Sequence, residues 1–221
     1  MNKNIKIILD IETTGLHLKK GDRIIEIGCL KIIDNIISNC IFHTYIYSGK
    51  IINKSAYDIH GISNLFLKNK PKFNMIINSL LFFIKNYKLI IHNANFDIGF
   101  LNNELLLIGK KTISYSRIID TLVISKKRFP GSKVNLNALC KKFQINLNSR
   151  KKHGALIDIK LLSLVYFKLL KKKQIILLIN NNEKYYTIKE YKKLLFNYFT
   201  SISKKEINVS KKLVDKLNIK I

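Results

Sequence analysis

Apolar residues recur at two different spacings along this chain, and the spacings divide it into strands and helices. Ile5 to Ile11 is a short run rich in β-branched residues and closed by Gly15, which predicts a buried strand. Arg23 to Asp34 and Ile36 to Tyr47 predict two more strands, joined so tightly at Asp34-Asn35 that they must run antiparallel. Ser48 to Leu67 is irregular, with short helical turns expected around Ile59-His60-Gly61-Ile62. Phe73, Ile76, Ile77, Leu80, Ile84 and Tyr87 share a helical stripe, so the spacing predicts a helix over 73–87. Lys88 to His92 is a short apolar strand. Phe96 to Ile108 is a helix, with Ile98, Leu101, Leu105 and Ile108 on one stripe and Gly109 as its stop. Arg117 to Ile119 is a brief strand running into Asp120-Thr121, which can cap a helix from Leu122 to Arg128. Pro130-Gly131 breaks that helix, Leu136 to Phe143 is a short one, and His153 to Leu170 is the last long helix of the core. Three strands in a meander followed by alternating helix and strand predict an α/β domain with a mixed sheet.

The pattern changes at Lys171. Lys171-Lys172-Lys173 leads into Gln174-Ile175-Ile176-Leu177-Leu178-Ile179 and then Asn180-Asn181-Asn182, the best linker candidate in the chain. Beyond it, Thr187-x-x-Glu190 and Ser203-x-x-Glu206 have the form of capping boxes, each opening a helical pattern. The expected division is a core domain over 1–172, a linker over 173–184 and a helical tail over 185–221.

Composition alters this picture only modestly. At 221 residues the chain suits one α/β domain plus an extension. The formal net charge of +26 permits a polyanionic partner. A second explanation stands beside it: Lys, Asn and Ile all have AT-rich codons, so base composition alone could produce much of the charge. Three cysteines, Cys29, Cys40 and Cys140, are an odd number with no metal-type spacing, as expected in a reducing cytosol. The first strand starts almost at the N-terminus, with no signal-peptide pattern before it. No apolar run approaches the length of a membrane span.

The candidate chemistry lies at the ends of the predicted elements. Asp10 and Glu12 sit one residue apart on the first strand and so face the same way. Two like charges at the end of a buried strand repel each other and lose hydration; a hard cation such as Mg²⁺ or Mn²⁺ would relieve both. Asp97 lies where a strand gives way to a helix, a usual place for ligands in α/β proteins, and within the first turn of the helix dipole. His153 and Asp158 form the third group. Five helical steps turn about 500°, which leaves their side chains ~140° apart within a regular helix. They can share a site only if His153 lies on the loop before the helix, which Gly154 allows. Four carboxylates and one histidine can bind two divalent ions roughly 4 Å apart.

Taken together, these stretches resemble the DEDDh 3′→5′ exonuclease superfamily, most nearly the proofreading epsilon subunits of bacterial DNA polymerase III. The matching text is Leu9-Asp-Ile-Glu-Thr-Thr-Gly15, Arg23-Ile-Ile-Glu-Ile-Gly28, Ile59-His-Gly-Ile62, His92-Asn-Ala-Asn-Phe-Asp-Ile-Gly-Phe100, Asp120-Thr-Leu122 and His153-Gly-Ala-Leu-Ile-Asp158. It lies in family order and covers about residues 5 to 170. The resemblance implies a ribonuclease H-like fold, with a five-stranded mixed sheet flanked by helices and a C-terminal helical tail. It implies metal-dependent hydrolysis of DNA from the 3′ end, releasing nucleoside 5′-monophosphates. Asp10, Glu12 and Asp158 would hold the two ions, with Asp97 acting largely through water, and His153 would be the general base. Thr14, Gly15 and Leu16 would line the terminal nucleotide pocket. Ile59 would wedge against the last base, His60 would contact the nucleotide, and Asn93 and Phe96 would sit beside the strand. Some epsilon subunits carry a Glu five residues before the position of His60; here it is Ser55, which puts one nucleotide contact in doubt.

Three functions compete at this point: a proofreading subunit, an RNA-trimming exonuclease of the same superfamily, and a structural polymerase subunit with a vestigial nuclease. The complete acidic set argues against the last, and the long tail argues against the second. By the same resemblance, Gln174 to Leu178 is either a peptide that grips the sliding clamp or the end of the core. The tail docks either on the polymerase alpha subunit or on the chain's own core.

Overall fold

The computed structural model describes residues 4–147 and 152–170, together with two residues at 185–186. Contacts divide the chain after Tyr185, and every helix and long strand described belongs to the first unit. The linker at 173–184 and the tail at 185–221 expected from the sequence lie outside the described residues, Tyr185 and Tyr186 apart.

Strand β1 (Ile5–Thr13) runs through the middle of the sheet, antiparallel to β2 (Ile24–Ile33) and parallel to β4 (Lys88–Ile91). Its inner residues Ile7, Ile8 and Leu9 are fully buried. A strand covered on both faces reads as a continuous apolar run, which is why this stretch does not alternate. Strand β3 (Ile36–Tyr45) returns from β2 through Asp34 and Asn35, whose φ values of 51° and 62° make the paired left-handed turn a tight hairpin requires. Strand β5 (Ile118–Asp120) pairs parallel with β4, and the order β5-β4-β1-β2-β3 is the expected five-stranded mixed sheet. A two-residue strand, β6 (Tyr185–Tyr186), comes last.

Among the described residues, seven α-helices accompany the sheet. Helix α1 (Lys54–His60) lies a turn earlier than the expected turns around Ile59 to Ile62, because Gly61 at φ 71° ends it there. Its Ala56 packs with Ile25, Ile52, Ile62 and Leu67, the last from α2 (Asn64–Leu67). Helix α3 (Phe73–Ile84) buries Phe73, Ile76, Ile77, Leu80 and Ile84 of the predicted stripe, while Tyr87 falls beyond its end. Helix α4 (Ala94–Leu107) begins two residues earlier than its apolar pattern suggested. Helices α5 (Thr121–Arg128) and α6 (Leu136–Lys142) precede α7 (Ala155–Leu169), which packs directly on β1 and β2. There Ile159, Leu162, Val165 and Tyr166 meet Ile8, Leu30, Ile32 and Ile90 from the sheet. Each such fully buried aliphatic side chain contributes about 1.5–3 kcal/mol, enough in sum to fix α7 against the two strands. All three cysteines are free. Among the described residues no helix is long and apolar enough to cross a membrane.

Candidate active site

The C-terminal half of β1 supplies the first two carboxylates. Asp10 lies opposite Gly28 and Glu12 opposite Glu26 on β2, and the register slips just after Glu12. Past the slip, the Thr13-Thr14-Gly15 turn is tied down by side chains. Thr13 Oγ1 donates to the Gly15 carbonyl at 2.6 Å, and Thr14 Oγ1 donates to Asp22 Oδ1 at 3.0 Å. Asp22, itself 2 % exposed, also accepts the His17 N–H at 2.9 Å and a hydrogen bond from Asn53 Nδ2 at 3.3 Å. A Cβ at Gly15 would stand 2.1 Å from Asn53 Nδ2 and 2.5 Å from Asp22 Oδ2, so a larger residue there would push aside the side chains that tie the turn. The turn holds Leu16 out into solvent.

Asp97 comes from the first turn of α4. The chain enters that helix through Asn93 in the left-handed region, φ 67°, and Asp120 at the end of β5 holds the entry. Asp120 accepts the N–H groups of Asn93 at 3.1 Å and Ala94 at 3.0 Å, and its Oδ1 also caps α5 through the Leu122 N–H at 2.8 Å. The capping role read from the sequence is present, and the same side chain positions the loop that carries Asp97.

Asp158 lies in the first turn of α7, buried, while His153 lies on the loop before the helix, where Gly154 is the N-cap. This arrangement removes the ~140° conflict that a single regular helix would impose. His153 Nδ1 stands 3.7 Å from Asp158 Oδ2, and the His153 N–H donates to the Ile59 carbonyl at 3.1 Å. Glu12, His153 and Asp158 offer ligand atoms that all lie within 4.8 Å of one another, the one such group of acids, histidines and cysteines among the described residues. Asp10 is tied to it electrostatically, and Asp97 to Asp10. Burial first, then the neighbouring Asp97, Asp158, Glu12 and Glu26 carboxylates, hold Asp10 well above the usual carboxylate range. Burial likewise raises Asp97, with Asp120 adding to the rise and the backbone N–H groups of Asp97 and Ile11 opposing it. Helix-dipole stabilisation, expected from the position of Asp97 in the sequence, is outweighed by its burial. Buried acids crowded enough to resist ionisation form a donor set that fits a divalent cation.

A family model described as an exonuclease, of the RNase T type, matches residues 7–166. The chain is 48 % identical over 172 residues to the DNA polymerase III subunit epsilon of Rickettsia felis, a match that covers 76 % of this chain and 75 % of the relative. The chain belongs to the epsilon-subunit family of exonucleases. A second family member, the epsilon subunit of Buchnera aphidicola subsp. Baizongia pistaciae, is 46 % identical over 168 residues, covering 73 % of this chain and 69 % of that one. The fold is similar to that of the nuclease domain of 3′hExo, a DEDDh family member bound to rAMP, with a TM-score of 0.64 at 17 % identity over 76 % of this chain and 92 % of that chain. The chain is thus a 3′→5′ exonuclease with the expected ribonuclease H-like fold, and epsilon-type exonucleases in general depend on divalent metal ions.

The residues expected to touch substrate fall into two groups. Leu16 and Ile59 are apolar yet exposed, at 65 % and 45 %, and Ser55 is exposed on α1. His60 is buried at the end of α1. Its Nδ1 accepts the Ile62 N–H at 3.0 Å, and its Nε2 has no hydrogen-bond partner of good geometry. Burial pushes its pKa below the ordinary histidine value, against the pull of the Thr13 backbone and Glu26. Phe96 packs against Phe100 with the rings tilted by 48° and 4.8 Å between their centres, and Asn93 makes the left-handed turn. The positioning acids Asp22 and Glu26 were missed as functional residues. Their signal was an acid inside or beside a largely apolar strand.

Proposed function

We propose that the exonuclease removes mispaired nucleotides from the 3′ end of DNA within a replicase, and that Asp10, Glu12, Asp97, Asp158 and His153 are the residues that do it. The observation that carries this reading is the convergence of Glu12, His153 and Asp158, drawn from β1, a loop and α7, within 4.8 Å. Asp10, Glu12 and Asp158 would hold two divalent ions, Mg²⁺ or Mn²⁺, with Asp97 one water further out. When bound, the ions lower the pKa of the attacking water and stabilise the charge developing on the phosphate and the leaving 3′ oxygen.

The remaining work falls to side chains of the chain itself. His153 accepts the proton of the attacking water. Its ring is 46 % exposed, so it can meet both water and substrate, and Asp158 beside it steadies the charge that it gains. Thr14, Gly15 and Leu16 form a pre-tied turn against which the terminal nucleotide rests. Ile59 and Leu16 present bare apolar surface to an unstacked base, with His60, Ser55, Asn93 and Phe96 around them. A pocket that admits one unpaired nucleotide favours frayed ends, because unstacking a mismatched base costs less.

The partners follow from the same reading. The two relatives carry the name of a DNA polymerase III subunit, which supports association with that polymerase. The proposed contacts are the helical tail over 185–221 with the alpha subunit, and Gln174 to Leu178 with the sliding clamp. The test is digestion of a 3′-mismatched DNA primer, its paired counterpart and an RNA oligonucleotide, each with Mg²⁺ and with EDTA. The reading predicts metal-dependent cleavage, fastest on the mismatched DNA. Faster cleavage of RNA would make the chain an RNA-trimming enzyme. Equal rates on paired and mispaired DNA would remove the proofreading role.

A further inference from the structure

Glu26 is the one acid in β2, whose other residues, Lys31 apart, carry no charge. Ile24, Ile25, Ile27, Cys29, Leu30 and Ile32 of β2 are all buried, and so is Glu26, at 2 % exposure. It stands directly opposite Glu12 in the antiparallel register, so the two acids share a face of the sheet. Like charges directly opposite each other weaken a sheet, and a buried carboxylate needs hydrogen bonds to be tolerated. A strand selected only to pair and pack would not place an acid here.

Both oxygens of Glu26 are engaged. Oε1 lies 2.6 Å from Nε2 of His43 on β3, and Oε2 accepts the N–H of Ala155, the first residue of α7, at 3.2 Å. A carboxylate at that place also meets the positive end of the helix dipole. Two residues along the same face, Gly28 completes the seat, because a Cβ there would stand 2.8 Å from the Ala155 carbonyl oxygen. An acceptor and a gap therefore lie side by side under the first turn of α7. His153 precedes that turn by two residues, and Asp158 is within it.

We propose that Glu26 is a positioning residue for the exonuclease reaction. Braced by His43, it draws the N-terminus of α7 down onto β2 and so fixes the His153–Asp158 pair relative to the carboxylates of β1. The inference rests on the catalytic assignment above. It gives Glu26 no contact with substrate. Displacing catalytic groups by about an ångström can cost ~10²-fold in rate without changing substrate affinity.

The test is steady-state digestion of 5′-labelled single-stranded DNA in Mg²⁺ by the full chain and by E26A, E26Q, G28A and D158A, each checked for native fold by circular dichroism. E26A is expected to lower kcat by about 10–10²-fold with KM within about twofold. E26Q, which keeps an acceptor oxygen for Ala155, should recover most of that rate. G28A leaves Glu26 intact but pushes α7 outward, and should reproduce the loss of kcat. A folded E26A with wild-type kcat and only a lower Tm would make Glu26 merely structural and overturn the proposal. So would a rise in KM alone, or an E26Q as slow as E26A. Should E26A not fold, G28A decides: slow turnover at unchanged KM supports the proposal, and wild-type kcat overturns it. A D158A variant with wild-type activity would instead overturn the catalytic assignment itself.

Discussion

Asp10 and Asp97 are held protonated more tightly than ordinary carboxylates, chiefly by burial. With a folded pKa above the unfolded value near 3.9, each adds stability that is present at acid pH and lost as the pH rises through the folded value. The metal-free protein is therefore expected to be strained at neutral pH. Asp10→Asn should raise the Tm of the EDTA-treated chain at pH 8, have little effect near pH 4, and abolish the further rise in Tm that Mg²⁺ gives the wild type. An unchanged metal-dependent increment would show that Asp10 is not a ligand. His60 acts in the opposite sense: with its folded pKa lowered, the fold loses stability as the pH falls below the unperturbed value near 6.5 towards the folded one. A His60→Gln chain should lose less Tm than the wild type between pH 7 and pH 5. His153 is proposed as a base, so His153→Ala should cost roughly 10²–10⁴-fold in rate and leave metal affinity nearly unchanged. Because His153 stands close enough to Glu12 and Asp158 to be a ligand itself, calorimetric titration with Mn²⁺ is the discriminating measurement. A collapse of binding in the variant would make His153 a ligand.

At the scale of elements, what could be read from the sequence was what repeats or alternates. The β1–β3 meander, its Asp34-Asn35 turn and the stripes of α3 and α4 all declare themselves through local periodicity. Helix α1 did not, because its core contacts, Ala56 with Ile25, Ile52, Ile62 and Leu67, come from several elements and leave no stripe within seven residues. The five catalytic candidates stand at strand and helix ends, where an acid is conspicuous against apolar neighbours. The acids that hold the elements in place were harder to see. Glu104 sits on α4 like any helical surface charge, yet it is 1 % exposed and accepts hydrogen bonds from Arg23 Nε and Nη2, at 2.6 and 2.5 Å, and from the Ile24 N–H at 3.4 Å. Only the fold brings residues 23 and 104 together. Glu104→Ala would leave buried donors unpaired where α4 meets β2, with an expected loss of about 2–4 kcal/mol in urea unfolding. A change below about 0.5 kcal/mol, the usual range for a surface site, would mean that the pair is only superficial.

For the whole molecule, the proposal is that a segment beyond the catalytic core attaches it to a polymerase. Deleting residues 180–221 is expected to leave a folded, active nuclease that no longer co-purifies with the alpha subunit. A truncated chain that unfolds would assign the tail to the core, and one that still binds alpha at full affinity would move the docking surface elsewhere. The net charge of +26 adds attraction for a polyanionic strand, but catalysis is attributed to five side chains brought together from β1, α4, α7 and the loop before α7. The most direct test of that attribution is the rate at which the full-length Asp158→Ala chain releases the 3′-terminal nucleotide of single-stranded DNA in Mg²⁺. A native fold is expected, with a rate lower by several orders of magnitude, close to that of the wild type in EDTA. A natively folded variant that cleaves at nearly the wild-type rate would contradict it.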